Sequence, residues 1–402
     1  MTLAALIAAY HEADDSGGVL RATLPLAGRT VLERQARLAA SAGADPIVVV
    51  VERVPPELSE ALDRMKGEGI NPIVARSAEA AAEAVHATDH VLLMADGLLA
   101  AQSHIDRLTA VGGPAILTVP DVRVDDRYER IDAHSRWAGL ALLDGELLKQ
   151  TSAMLHDWDL QSTLLRRAVQ TGARQLSLRG EPADDHLIVA ERGEDLDALQ
   201  IRLFEGAGAH RRDWMSRYLL GPLEAAATRL LMPRRVTPSM LQLSAAGLTA
   251  AAAIAFGSQW LWTGMLLLLL STPLDGTAER LAALRMQDGV EESWWAYLLP
   301  ILAGAALVAL GFALSPLKGW GCVALAGSTI AFAVALRIEA QERTVPGGLW
   351  LAERKGMIWL LLPFAAAGFW GTGLTMLLLY AAGSFFWAQR HVHTAPAAAH
   401  ED

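Results

Sequence analysis

The residues with the clearest capacity for chemistry sit between two apolar stretches late in the chain. There Asp275-Gly276, Glu279-Arg280, Asp288-Gly289, Glu291 and Glu292 share the segment 271–297. Carboxylates at the edge of a membrane are costly to keep and count as a functional site by default. A second candidate is Asp96-Gly97, directly after the apolar run 90–94, with Arg21 closing the loop 10–21. A third is 132–139, where His134, Arg136 and Trp137 could together grip an anion; the same residues read more simply as an edge loop with a half-buried Trp. The lone cysteine, Cys322, excludes an intramolecular disulfide, a cysteine-based zinc site and a redox pair.

Two different scaffolds must hold these residues. The chain has 402 residues, 52% of them hydrophobic and 19% charged, with a mean hydropathy of +0.27. Charge is concentrated before about residue 236, and apolar runs dominate 241–387. This split excludes a wholly soluble enzyme, a disordered chain and a collagen-like fibre. A formal net charge of −10 lacks the basic footprint of a nucleic-acid binder. Residues 3–9 are too few for a signal-peptide core and no basic segment precedes them, which predicts a cytosolic N-terminal half.

In that half, apolar runs predict strands at 3–9, 47–51, 72–74 and 90–94, alternating with helices at 31–42, 56–65 and 78–85. Such alternation predicts an α/β layer fold with a parallel sheet and right-handed crossovers. Ligands of these sheets sit outside the carboxyl ends of the strands, where the loops 10–21 and 95–98 fall.

In the second half, 203–235 mixes arginines (211, 212, 217, 229, 234, 235) with Trp214, Tyr218 and leucines. This predicts an interfacial amphipathic helix on an anionic leaflet, each basic residue contributing about 1 kcal/mol. Pro233 stops it. Six apolar stretches follow, at 241–258, 261–274, 296–314, 322–336, 357–368 and 374–387; the last two also read as one kinked helix. Several fall short of the ~20 residues of a simple span and must extend into less apolar neighbours. Tryptophans 260, 262, 294, 295, 320, 350, 370 and 387 lie near stretch ends, as interface anchors should. Arg234, Arg235, Arg280, Arg285, Arg337, Arg343, Arg354, Lys355 and Arg390 fall on one side and Lys318 nearly alone on the other, predicting both termini in the cytoplasm.

Both halves resemble known families. Residues 3–9, 21–34 and 41–50 resemble the start of a nucleotidyltransferase of the sugar-phosphate or MobA-like type, whose glycine loop wraps nucleotide phosphates. The resemblance implies a Rossmann-like layered α/β domain over 1–205, nucleotide contacts at Arg21 and Asp96, and a metal at Asp96. The chain departs from the family in its loop, which reads Ala9-Tyr10-His11-Glu12-Ala13-Asp14-Asp15, and in having Arg21 for the lysine. The family's second metal aspartate falls near Val189. On the residues alone, Asp96-Gly97 is a strand-ending turn and Arg21 a solvated charge.

The segment 271–297 resembles the signature of CDP-alcohol phosphotransferases, D-x2-D-G-x2-A-R-x8-G-x3-D-x3-D, and keeps Asp275, Gly276, Arg280 and Gly289. Thr272, Ser293 and Tyr297 replace the other three aspartates, and Glu279 the alanine. Rebuilding the site from Glu279, Asp288, Glu291 or Glu292 would need a shift of register. The resemblance implies an all-α, six-helix membrane domain over 237–390 with a juxtamembrane helix at 206–236 and a tail at 391–402. It also implies CDP-alcohol binding by Asp275, Gly276, Arg280 and Gly289, Mg2+ or Mn2+ at Asp275, membrane-lipid partners, CTP for the soluble half, and a homodimer. Together the halves resemble fused inositol-phosphate cytidylyltransferase and CDP-inositol phosphotransferase enzymes. Two readings result: a diverged phosphotransferase of phospholipid or polar-headgroup synthesis in a bacterial-type inner membrane, releasing CMP, or an inactive paralogue that binds lipid or nucleotide or scaffolds a partner.

Overall fold

A computed structural model describes residues 2–15, 17–121, 127–154, 159–178, 187–209, 213–232, 236–285, 295–340 and 346–394. The chain divides into two compact units, Met1–Leu203 and Phe204–Asp402.

The first unit runs β1 (Leu3–Ala8), β2 (Pro25–Leu26), β3 (Arg29–Thr30), α1 (Val31–Ser41), β4 (Ala44–Val50), α2 (Pro56–Gly67), β5 (Ile73–Ala75), α3 (Ala78–Glu83), β6 (His90–Met94), β7 (Leu98–Leu99), α4 (Gln102–Thr109), β8 (Ala115–Pro120), β9 (Ser135–Asp144), α5 (Gly145–Ser152), α6 (Leu160–Gln170), β10 (Arg174–Ser177), β11 (Ile188–Val189) and α7 (Gly193–Ala209). Each strand and helix expected up to residue 94 forms, with ends within a few residues of the expectation. The seven-stranded sheet has the order β10-β8-β9-β6-β1-β4-β5. Strands β1, β4 and β6 are buried on both faces, hence their unbroken apolar sequences.

The sheet is rich in parallel pairs but not wholly parallel. β9 runs antiparallel to both β6 and β8, since a return to a neighbouring strand needs no crossover helix. Local chemistry starts α1: Thr30 accepts a hydrogen bond from the Glu33 N–H, and Glu33 accepts one from the Thr30 N–H, closing a capping box. Gly97, at φ +74°, turns the chain after β6 where a Cβ would lie 2.3 Å from the Ala190 carbonyl oxygen.

The second unit contains a π-helical turn (Ser216–Leu220), then α8 (Gly221–Leu231), α9 (Pro238–Gly257), α10 (Leu261–Leu284), α11 (Trp295–Lys318), α12 (Gly321–Ala340), α13 (Arg354–Ala366) and α14 (Trp370–Thr394). Its apolar core packs Phe256, Met265, Leu310, Leu361 and Leu374. Among the described residues four helices are long and apolar enough to cross a membrane: α9, α11, α12 and α14. Of the six expected spans, these four qualify by length and composition. At 1.5 Å per residue α10 is about 36 Å long, but its second half carries Asp275, Glu279 and Arg280. Helix α13 has 13 residues, about 20 Å, against a hydrocarbon core of about 30 Å. Trp260, Trp262, Trp320, Trp350 and Trp387 are exposed, whereas Trp370 is buried in edge contact with Trp262.

The segment before α9 is amphipathic in an inverted sense. Tyr218, Leu219, Leu223 and Leu230 face outward with Arg217 and Arg229, while Ser216, Glu224 and Thr228 are buried. Of the expected basic residues, Arg211, Arg212, Arg234 and Arg235 lie outside the described residues, as does Pro233.

Candidate functional site

In the first unit, the ends of β1 and β6 bring the loop 10–21 against Asp96. The buried Asp96 carboxylate accepts two backbone hydrogen bonds through Oδ2, from Tyr10 N–H at 2.8 Å and His11 N–H at 2.7 Å. His11 Nδ1 lies 3.5 Å from the same oxygen. The hydrogen bond to Asp96 raises the His11 pKa, against the opposing effect of burial. Asp96 Oδ1 and Trp137 Nε1, both buried, have no hydrogen-bond partner among the described residues. They line a cavity of about 70 Å³ with His11, Arg21, Glu129 and Gln161. Burial raises the Glu129 carboxyl above its usual range, with Ser162 pulling the other way. That volume is several times smaller than a pocket of the size small ligands such as nucleotides occupy, about 300–1,000 Å³.

The loop's acids are all engaged. Arg21 bridges Asp14 and Glu191 at 3.0 Å each, Arg53 pairs with Glu12 at 2.6 Å, and Asp15 accepts the Gly193 N–H at 2.9 Å. Arg21 thus ties the loop's Asp14 to Glu191 instead of standing free in solvent. Antiparallel pairing of β7 with β11 sets Val189 opposite Leu98 and on the cavity wall. The topology therefore does bring the second metal position beside Asp96, but with an aliphatic side chain. The expected trio of 132–139 is not assembled. Arg136 is held by Asp121 at 2.8 Å, His134 is exposed, and Trp137 is buried in β9 instead of half-buried in a loop.

In the second unit, α10 presents two adjoining polar faces. Ser271, Thr272, Asp275 and Glu279, spaced by three to four residues, meet the start of α13. Arg354 Nη2 lies 2.6 Å from Asp275 Oδ2, and Lys355 Nζ lies 3.7 Å from that oxygen and 2.7 Å from Glu279 Oε2. Trp359 Nε1 donates to Thr272 Oγ1 at 3.1 Å. On the other face, Gly276 and Arg280 meet Glu224 from α8, with Arg280 Nε 3.3 Å from Glu224 Oε2. Among the described ion pairs, the carboxylates 224, 275 and 279 are met by the cations 280, 354 and 355.

This donor set does not fit a divalent cation, which needs several oxygens without cations in their midst. Among the described residues no three His, Cys, Asp or Glu gather into a metal-holding group. At Asp96 one carboxylate oxygen remains, faced by Val189; at Asp275 two protein cations take the place of metal. Gly289, Asp288, Glu291, Glu292 and Ser293 lie outside the described residues. Tyr297 stands beneath the Arg337 guanidinium, 5.2 Å from its ring centre.

Glu224, Arg354, Lys355 and Trp359 were missed as site residues. A sequence signal existed for one pair: Arg354-Lys355 opens a short apolar helix, and cations buried at such a place require carboxylates. Glu224 and Gln161 carried no signal.

No family model matches the chain, and no curated protein matches it. Among solved structures, one from Bacillus anthracis described as a glucose-1-phosphate thymidylyltransferase, in complex with a sucrose, is 10% identical, with a TM-score of 0.39. The match covers 50% of this chain and 95% of that one. At that score it adds nothing to what the strand order already says.

Proposed function

We propose that the chain is an integral membrane protein with a nucleotidyltransferase-like cytosolic unit and a CDP-alcohol phosphotransferase-like membrane unit. It acts by binding a lipid or nucleotide ligand, or by holding a partner, and not by metal-dependent group transfer. The observation that carries this reading is the Asp275 carboxylate, gripped by Arg354 and Lys355. A buried carboxylate that already has two cations gains little from a divalent ion and must break both pairs to take one. The same reading has both termini in the cytoplasm, α10 and α13 completing six spans, lipid contacts along 213–232, and a homodimer.

The catalytic reading, transfer of a phospho-alcohol group from a CDP-alcohol with release of CMP, requires more. Asp275 would exchange Arg354 and Lys355 for Mg2+ or Mn2+, with further oxygens from 286–294. The test is binding of CDP-diacylglycerol and of CTP to the full-length protein with Mn2+ and with EDTA, for wild type, Asp275→Asn and Asp96→Asn. The non-catalytic reading expects Mn2+ to make no difference. Mn2+-dependent CDP-diacylglycerol binding that Asp275→Asn abolishes would overturn it, and CTP binding lost in Asp96→Asn would make the first unit a nucleotide site.

A further inference from the structure

The segment before α8 is joined to its neighbours at few points, and those points are specific. Residues 213–220 end in the π-helical turn, a form that recurs at functional places in helices. Gly221-Pro222 follows, and Pro222, with no N–H, cannot donate the backbone bond that would tie α8 to that turn. The chain has a weak joint there.

The inner side of the segment is polar and buried. Asp213 accepts the Ser216 N–H at 2.7 Å, and the Ser216 hydroxyl donates to Glu224 Oε1 at 3.3 Å, beside the contact of Glu224 with Arg280. Asp213 and Ser216 are 4% and 5% exposed, so the segment keeps water from this face of α10. Its outer side carries Tyr218 and Leu219, both exposed.

What holds it shut is Trp214. The indole N–H donates to the Tyr380 hydroxyl at 3.1 Å, and the ring lies so close to α13 that a Cβ on Gly356 would come 3.0 Å from Nε1. Trp214 and Tyr218 both stack on Trp350, with ring centres 6.1 Å apart in each pair. The socket that receives them is fixed from its other side by α14. The Tyr380 hydroxyl faces the carbonyl oxygens of Trp350 and Leu351 at 3.0 Å each. Ser384 Oγ accepts the Ala352 N–H at 3.0 Å, and Trp387 Nε1 donates to the Pro346 carbonyl oxygen at 3.0 Å. A braced socket thus meets a segment with a weak joint.

We propose that 213–220 is a lid over this face of α10, hinged at Gly221-Pro222 and latched by Trp214. Swinging out breaks the hydrogen bonds of Trp214 and Ser216 and the stacking on Trp350, and it leaves the socket whole. It opens the buried polar side of the segment to water and to polar solutes. That the membrane unit binds a ligand is the reading above, and the lid rests on it only for its purpose. Its opening is measured without any ligand, so the two stand or fall separately.

The test uses full-length protein in phosphatidylcholine nanodiscs, with Ser216→Cys as the reporter and a water-soluble maleimide as the probe. Cys322, buried in the apolar core, is the internal control, since it reacts only when the bundle itself comes apart. Labelling of each thiol is followed by mass spectrometry in Ser216→Cys alone and with Trp214→Phe, Gly356→Ala or Pro222→Ala added. Trp214→Phe keeps a stacking ring and loses one hydrogen bond, so labelling at position 216 should quicken about fivefold. Gly356→Ala crowds the indole off its seat and should quicken it roughly tenfold or more. Pro222→Ala restores the missing backbone donor and should slow it. Cys322 should stay unlabelled throughout. Equal rates at position 216 with and without Trp214→Phe overturn the proposal, as does labelling of Cys322 that keeps pace with position 216. If Gly356→Ala does not purify folded, Trp214→Phe and Pro222→Ala decide: opposite shifts support the lid, and any other result overturns it.

Discussion

Asp96 and Asp275 are the carboxylates that the two family resemblances single out in their units, and each is held differently. Asp96 accepts backbone N–H groups on one oxygen, and the other, in a small cavity, has no hydrogen-bond partner among the described residues. Asp275 is held by two full charges from another helix. The difference follows from the surroundings. In the first unit the Asp96 carboxylate is met by backbone N–H groups and by the His11 ring, 3.5 Å away. Beside apolar helices it needs matched cations, and those cations then occupy the space a metal would take.

The largest effect expected from breaking this contrast is in the membrane unit. Lys355→Met removes the ammonium shared by Asp275 and Glu279 and leaves a buried carboxylate under-compensated. Such a break costs about 3–5 kcal/mol. Thermal unfolding of the full chain in detergent should show it, and adding Asp275→Asn should recover much of the loss. A Lys355→Met protein as stable as wild type would mean that the network is solvated.

In the first unit the corresponding test is Glu33. Burial opposes its charged form, but hydrogen bonds from Arg64 and the Thr30 N–H, with the charges of Arg64 and Arg29, hold its pKa below the usual range. Glu33→Gln should cost about 2–3 kcal/mol. In wild type this contribution is complete above the unfolded carboxyl value of about 4.3 and is lost as pH falls through the lower folded value. Urea unfolding between pH 3 and 6 checks the slope; equal pH dependence in wild type and Glu33→Gln would refute it.

A third change makes the two sites more alike. Val189→Asp sets a second carboxylate beside Asp96. Mn2+ affinity measured by electron paramagnetic resonance should rise at least tenfold, about 1.4 kcal/mol. The gain should vanish in Val189→Asp combined with Asp96→Asn. If Mn2+ binding is unchanged, the Arg21 and His11 side of the cavity already repels cations.

What was legible in the sequence follows the same division. Unbroken runs such as 47–51 and 90–94 betray buried strands, and their alternation with the helices expected at 31–42, 56–65 and 78–85 made the first unit's layers readable. β9 was not read as antiparallel, because strand direction depends on a connection and not on the strand itself. In the second unit six apolar stretches were visible and all are helical, but α10 owes its length to charged residues satisfied by α8 and α13. No local pattern states that Glu224 meets Gly276, some fifty residues away; only packing does. Asp275 could be singled out as costly, while the cations that pair with it lie 79 and 80 residues further on.

The smallest effect sharpens the contrast most finely, because it changes one neutral hydrogen bond at a position where the phosphotransferase signature has an aspartate. Trp359 Nε1 donates to Thr272 Oγ1 at 3.1 Å, and that hydroxyl in turn donates to the Leu269 carbonyl oxygen at 2.8 Å. Trp359→Phe removes the first bond only. The Thr272 hydroxyl keeps its donor bond within the helix, so no buried donor is stranded. The expected loss is about 1 kcal/mol in thermal stability, with CDP-diacylglycerol binding unchanged. A loss as large as that of Lys355→Met would instead make Trp359 a packing anchor between α10 and α13, with the charge network secondary to it.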